Sequence, residues 1–287
     1  MKSRDFHYER PSSLAGAIQM LTQHGASAQV LAGGQSLVPA LNLRLAAPEI
    51  LVDIQDCAEL RGLQDMGSSI RIGALTTHAQ IQSSALVAQH IPLLAEAVPY
   101  VAHVAIRNRG TIGGSLALAD PAAEYPAVAL ALNATLVVRG QNGERKISAE
   151  GFFKGLYSTD LQPGEILVAV EFPKATGADR SGFYELARRR GDYAMVGLAA
   201  QVVLAAGKIT SARLAYFAVA DRPVLAASAA ARLVGAPVGD AAAVAAAVEA
   251  LATDLDPMPD LQAETQTKAY LAGVVLRRVI QQLGASS

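Results

Sequence analysis

Two adjacent glycines interrupt apolar sequence at two widely separated places, Gly33-Gly34 and Gly113-Gly114. The first pair ends the short run Gln29-Val30-Leu31-Ala32, which reads as a buried strand. Gln35 and Ser36 follow, and helical spacing begins at Leu37, Leu41 and Leu45, with Pro39 tolerated in the first turn. The second pair lies in Arg107-Asn108-Arg109-Gly110-Thr111-Ile112-Gly113-Gly114-Ser115, ahead of Leu116–Asp120 and Pro121. Paired glycines take backbone angles that other residues avoid, and they lack the Cβ that blocks close approach. Successive backbone N–H groups can then point at one anion. A helix starting near Ser36 adds its positive end and a hydroxyl, and the second loop adds the hydroxyls of Thr111 and Ser115. A diphosphate needs donors from more than one direction, and two such loops can supply them without a lysine. The same spacing also suits two ordinary turns. On spacing alone both readings stand, a pair of turns or an anion or dinucleotide site.

The segments around the loops alternate without regularity. Pro11-Ser12-Ser13 opens a helix carrying Leu14, Ala17, Ile18 and Leu21, and Gly25 closes it. Strands are expected at 50–54, 69–74, 134–138 and 165–172, and helices at 76–83, 86–97 and near 124–132. Beyond a linker at 173–181, strands at 183–187, 196–206 and 208–219 precede helices at 223–233, 240–251 and about 261–283. The pattern is α+β, not doubly wound. No repeat of fixed period stands out.

Composition excludes several classes. The chain has 287 residues, 52% of them hydrophobic, enough for a sizeable core. Lys plus Arg number 24 against 25 Asp plus Glu, so the basic excess of a nucleic-acid binder is missing. No apolar stretch approaches the ~20 residues that span a bilayer. The first ten residues carry Asp5, His7 and Glu9 and do not read as a signal peptide. Cys57 is the sole cysteine, so no internal disulfide, four-thiolate zinc site or iron–sulfur cluster can form here; this usage fits a reducing cytoplasm. The histidines, His7, His24, His78, His90 and His103, show no metal-ligand spacing, and no P-loop lysine motif or spaced-glycine dinucleotide fingerprint is present.

A third feature is Arg188-Arg189-Arg190-Gly191-Asp192-Tyr193-Ala194. A solvated basic turn accounts for its charge. An aromatic at the mouth of a loop can also cover a flat ring, with the adjacent Asp orienting polar groups.

At these residues the chain resembles the FAD-binding medium subunits of the molybdenum-containing hydroxylases, the family of aerobic carbon monoxide dehydrogenase, xanthine dehydrogenase and the bacterial quinoline- and nicotine-type hydroxylases. The resemblance runs through 6–11, both glycine loops, Asp120-Pro121, Glu171-Phe172-Pro173, Arg189–Tyr193 and 268–278. It implies an FAD-binding fold of the vanillyl-alcohol-oxidase (PCMH) type over 1–176, in subdomains of about 1–55 and 56–176. A C-terminal domain of three-stranded antiparallel sheet with helices would follow over 177–287. It further implies that Leu31, Ala32, Gly33, Gly34, Gln35, Ser36 and Leu37, together with Gly110, Thr111, Ile112, Gly113, Gly114 and Ser115, wrap the FAD diphosphate through backbone N–H groups. Asp120 and Glu124 would reach the ribityl chain and flavin, Leu167 would line the ring pocket, and Asp192 and Tyr193 would lie by one flavin face. Carbon monoxide dehydrogenases of the family usually carry His in place of Gln35, Asn in place of Ser115 and often a polar residue in place of Leu118. Gln35 looks more like the heteroaromatic hydroxylases.

The resemblance implies an electron-transfer role without substrate chemistry on this chain. The molybdenum cofactor sits on a large partner subunit that oxidises an N-heteroaromatic compound, CO or an aldehyde. A small partner subunit carries the [2Fe-2S] clusters, and the assembly is expected to be a cytoplasmic dimer of heterotrimers, with an option of association at the inner membrane face. FAD would be held non-covalently, since neither loop carries a histidine. Two alternatives are a free-standing FAD-dependent oxidase or dehydrogenase, and a non-catalytic nucleotide-binding module.

Overall fold

The computed structural model describes residues 2–285. Three sheets carry the fold. His7–Glu9, Ile50–Asp53 and Ala28–Leu31 form a parallel sheet in that spatial order, with Val52 opposite both Glu9 and Val30. The helix Leu14–His24 covers it, capped by the Ser13 hydroxyl accepting from the Gly16 N–H, and buries Leu14, Ala17, Ile18 and Leu21.

The second sheet is antiparallel, in the order Leu63–Asp65, Ser69–Gly73, Ile166–Pro173, Thr135–Gly140, Gly143–Ser148. Its central strand is apolar along most of its length because both faces are covered. Ile166 and Val168 join the core beneath the first sheet, while Leu167, Val170 and Phe172 join the main core on the other side. The alternation shifts at a bulge between Leu167 and Ala169. The main core is built on the helix Glu124–Ala131, which is buried from Tyr125 onward, as a helix apolar all round requires.

The third sheet pairs Asp179–Ala187, Ala194–Ala205 and Lys208–Phe217 antiparallel. One face, through Phe183, Ala199, Ala215 and Phe217, joins the core of the Glu124–Ala131 helix. The other packs under Ala227–Leu233, Ala241–Asp254 and Thr265–Ala285.

Several expectations need correction. The helix expected over 86–97 is two helices, Ala85–His90 and Pro92–Ala97, because Pro92 cannot continue the first and serves as N1 of the second. The helix expected from Pro223 begins at Ala227. Val224–Leu225 instead pairs with Tyr216 and Ala215, giving the C-terminal sheet a two-residue fourth strand beside the three long ones. The last helix starts at Thr265, because Asp260 Oδ1 accepts from the N–H groups of Gln262 and Ala263 and holds that segment in a turn. The expected linker shortens to 174–178, since Pro173 ends one strand and Asp179 begins the next. No helix among the described residues is long and apolar enough to cross a membrane.

Gly197 is what lets the third sheet close on the main core. A Cβ there would lie 2.0 Å from Phe217 Cζ, and Phe217 stacks on Phe183 with ring centroids 5.7 Å apart. Gly197→Val is expected to cost on the order of 2 kcal/mol through overpacking. An unchanged urea midpoint would contradict this.

Candidate functional site

The two glycine loops meet. The first leaves the carboxyl end of the Ala28–Leu31 strand. A Cβ on Gly33 would lie 2.2 Å from the Arg109 carbonyl oxygen and 2.9 Å from Gly110 Cα, so only glycine permits this approach of two backbones. A Cβ on Gly114 would lie 3.9 Å from Ala32 Cβ. The second loop is pinned below by the segment that follows Ser69–Gly73. His78 N–H donates to Gly110 O at 3.0 Å, Ile112 N–H to Thr76 O at 3.1 Å and Gly113 N–H to Ala74 O at 2.9 Å.

The loops differ in what they offer. In the second, Gly114 N–H is taken by the Thr111 hydroxyl at 3.1 Å and Ser115 N–H by Thr111 O at 3.0 Å, as Thr111 caps the helix Ile112–Leu118. Its N–H groups from Ile112 to Ser115 are therefore spent on the protein. What it can still give outward are the protons of the Thr111 and Ser115 hydroxyls. In the first loop no acceptor among the described residues takes the N–H of Gly33, Gly34, Gln35, Ser36 or Leu37. Such a run of free donors at a helix start favours an anion.

The first loop is held from behind. Gln55 Nε2 donates to Ala32 O at 3.1 Å, Gln35 Nε2 donates to Gly33 O at 3.2 Å, and Asp53 Oδ1 accepts from the Gln55 N–H at 2.9 Å. Tyr8 hydroxyl donates to the other oxygen of the buried Asp53. Arg61 donates to Gln55 O at 2.6 Å. A cleft of about 460 Å³ opens between the loops, lined by Ala32, Gly33, Gln55, Arg61, Asn108 and Arg109 among others. Neither Arg61 nor Arg109 has an acidic partner among the described residues. Sequence reasoning singled out none of Gln55, Arg61, Asn108 and Arg109 as site residues. Arg109 stands inside the second loop's motif, but nothing in the sequence placed Arg61 near it.

The remaining expected residues gather at another point. The Ile112–Leu118 helix ends on Ala119 in a left-handed conformation (φ 53°), and Asp120 Oδ1 then accepts from the Ala122 N–H ahead of Glu124. Tyr193 and Tyr157 are exposed aromatics. Burial and then the Asp120 charge raise both phenols, and Glu124 also acts on Tyr193, so these groups lie within electrostatic reach of one another. Burial, then Asp120, pushes the Glu124 carboxyl up to about 7. Asp192 accepts from its neighbour's N–H, that of Tyr193, at 2.9 Å. The turn bearing both is docked by Gly191 (φ 81°), where a Cβ would lie 2.6 Å from Ala102 O, and by Arg190 over the Tyr100 ring at 5.4 Å. Arg107 donates to the carbonyls of Val101 and Ala102, which ties this turn to the base of the second loop. Leu167 is buried in the core shared with Ile112 and Leu116.

Comparison with known proteins agrees with this geometry. A family model for the FAD binding domain in molybdopterin dehydrogenase matches residues 4–175, and one for the CO dehydrogenase flavoprotein C-terminal domain matches 181–283. The chain is 37% identical over 275 residues to the carbon monoxide dehydrogenase medium chain of Hydrogenophaga pseudoflava, covering 96% of each. It superposes on a chain of the solved carbon monoxide dehydrogenase of that organism with a TM-score of 0.96, covering 99% of each at 37% identity. On quinoline 2-oxidoreductase from Pseudomonas putida 86 the TM-score is 0.94, at 39% identity, covering 100% of this chain and 99% of that one. The chain belongs to the family of FAD-binding medium subunits of molybdopterin dehydrogenases.

His78 supports the second loop from the core. It is 5% exposed, its ring meets Tyr125 edge-on at 5.1 Å, and burial, then the Arg107 charge, lowers it to about 4. The folded chain thus resists protonating His78 where the unfolded chain accepts the proton. Its contribution is complete above about pH 6.5 and is lost as pH falls to about 4, a change of ~3 kcal/mol. His78→Phe, which keeps a ring against Tyr125, is expected to flatten the acid limb of stability against pH by that amount. Identical acid limbs in the two proteins would contradict it.

Proposed function

We propose that this chain holds FAD non-covalently and passes electrons from a partner's iron–sulfur clusters to an external acceptor. The observation that carries the reading is the run of N–H groups from Gly33 to Leu37 that find no acceptor among the described residues, beside a cleft lined by Gly33 and by Arg61 and Arg109, which have no acidic partner there. That donor set matches a diphosphate, which has two negative centres and many acceptor oxygens. The hydroxyls of Thr111 and Ser115 would close on it from the second loop. Asp120 and Glu124 would meet the ribityl chain and isoalloxazine, with Asp192 and Tyr193 along one face and Leu167 behind. FAD supplies two-electron and one-electron redox chemistry, and the chain's part is to place and electrostatically tune it.

Clusters are assigned to a small partner subunit. The buried thiol of Cys57, which burial pushes up to about 11, offers one poor ligand where a cluster needs several thiolates. The oxidised substrate is assigned to a large molybdenum subunit; relatives at similar identity include a carbon monoxide dehydrogenase and a quinoline oxidoreductase. With a glyceraldehyde dehydrogenase medium chain also among the relatives, we read the class as an N-heteroaromatic compound, CO or an aldehyde. The assembly is read as a cytoplasmic dimer of heterotrimers. Residues 1–176 would form the FAD-binding unit and 177–287 the C-terminal unit.

The complex purified through this chain should be yellow-brown, contain both partner subunits, and release its flavin on acid precipitation. A stable, fully active lone chain would overturn the subunit reading, and a colourless one without extractable flavin would support a scaffold. Gly33→Val and Gly114→Val are expected to weaken FAD retention at least about tenfold, because a branched side chain either separates the loops or fills the phosphate approach. Normal flavin content in both variants would remove the loop argument.

A further inference from the structure

The strand that leads into the turn bearing Asp192 and Tyr193 carries a carboxyl that the reading above does not use. Glu185 sits on the Asp179–Ala187 strand, opposite Gly197. Its neighbour two residues back, Phe183, belongs to the core around the Glu124–Ala131 helix, so Glu185 faces the same way. Tyr184 and Leu186 point to the other core. Glu185 is 7% exposed, and its Oε2 is buried without a hydrogen-bond partner among the described residues.

The surroundings make this orphan oxygen costly as an anion. The Glu124 charge, at the start of the buried helix, acts on it, and the Asp120 charge acts in turn on Glu124. Tyr125, on the same helix, has a buried hydroxyl that is also without a partner. The Asp120 charge also acts on Tyr193 and Tyr157. The nearby cations are engaged elsewhere: Arg190 over Tyr100, Arg107 on the 101–102 carbonyls, and Arg278 on Tyr184 across the sheet. Glu96, on Pro92–Ala97, accepts from Ser181 near the other end of the strand. Asp120, Glu124 and Glu185 enter no ion pair among the described residues. The glutamates that do are Glu144, Glu150, Glu165 and Glu171, all placed elsewhere.

We propose that Glu185 is the proton-holding acid of the flavin site, keeping its proton while the flavin is reduced and releasing it when the flavin is oxidised. The proposal rests on the FAD reading above. Two carboxyls placed together away from cations cannot both ionise cheaply. Burial, followed by the Glu124 charge, pushes Glu185 up to about 8. Reduction of a flavin held by Asp120, Glu124, Asp192 and Tyr193 would add negative charge to this acidic group of residues and so favour the protonated form of Glu185. In the pH window between the ionisation of Glu185 beside oxidised flavin and that beside reduced flavin, each electron pair taken from the reductant is accompanied by one solvent proton bound at Glu185. That proton is additional to those taken up by the flavin itself.

The test is the midpoint potential of the bound flavin against pH, from about pH 6 to about pH 10, in the assembled complex and in its Glu185→Gln and Glu124→Gln variants. Gln mimics the protonated acid in size, so Glu185→Gln should fold and retain FAD. The wild-type potential is expected to fall more steeply with pH above about pH 8 than that of Glu185→Gln. Glu124→Gln is expected to move the steep region to lower pH. Reduced-minus-oxidised infrared spectra should show a carboxylic acid C=O band that Glu185→Gln removes. Parallel potential curves in wild type and Glu185→Gln, or an infrared band unchanged by the substitution, would overturn the proposal while leaving FAD binding intact. A wild-type complex without flavin would overturn the FAD reading itself, and the proposal with it.

Discussion

The contact of Gly33 with the Arg109 carbonyl is the constraint on which the rest depends. Two backbones approach so closely there that no side chain fits between them. This contact brings a loop from the parallel sheet against a loop pinned to the segment that follows the Ser69–Gly73 strand, and the cleft lies along their junction. The buried Asp53 and Gln55 brace one side of it, and the 74–78 segment braces the other. The scaffold around the free N–H run is fixed by these contacts, which lowers the ordering cost of any ligand it takes.

The glycine pairs have different work despite their similar sequences. Thr111 caps its helix and thereby consumes the N–H of Gly114, whereas Ser36 makes no side-chain cap to its own helix. The first loop is thus the donor and the second supplies closeness. The third sheet carries Tyr193 on a turn that rests on 102–103 and Glu185 on a strand whose inner face joins the core of the buried helix.

The parts legible in the sequence were those with strong local causes. Helical spacing from Leu14, the long hairpin about Gly207 and the two Gly-Gly loops each follow from residues close in the chain. The break at Pro92 and the Asp260 turn were local too, yet the apolar spacing around them masked both. Arg61 and Gln55 enter the site through tertiary contact alone, since the strand crossing that places them leaves no pattern in the sequence. Glu185 likewise reads as one polar residue in an alternating strand, and becomes unusual only when the fold buries it and adds the Glu124 charge from a distant helix.

The most direct test of the account is a crystal structure of the chain with FAD bound. The account predicts both phosphates within hydrogen-bond reach of the N–H groups of Gly33–Leu37, with the Thr111 and Ser115 hydroxyls closing from the other loop. A diphosphate bound elsewhere, with those N–H groups facing only water, would contradict it.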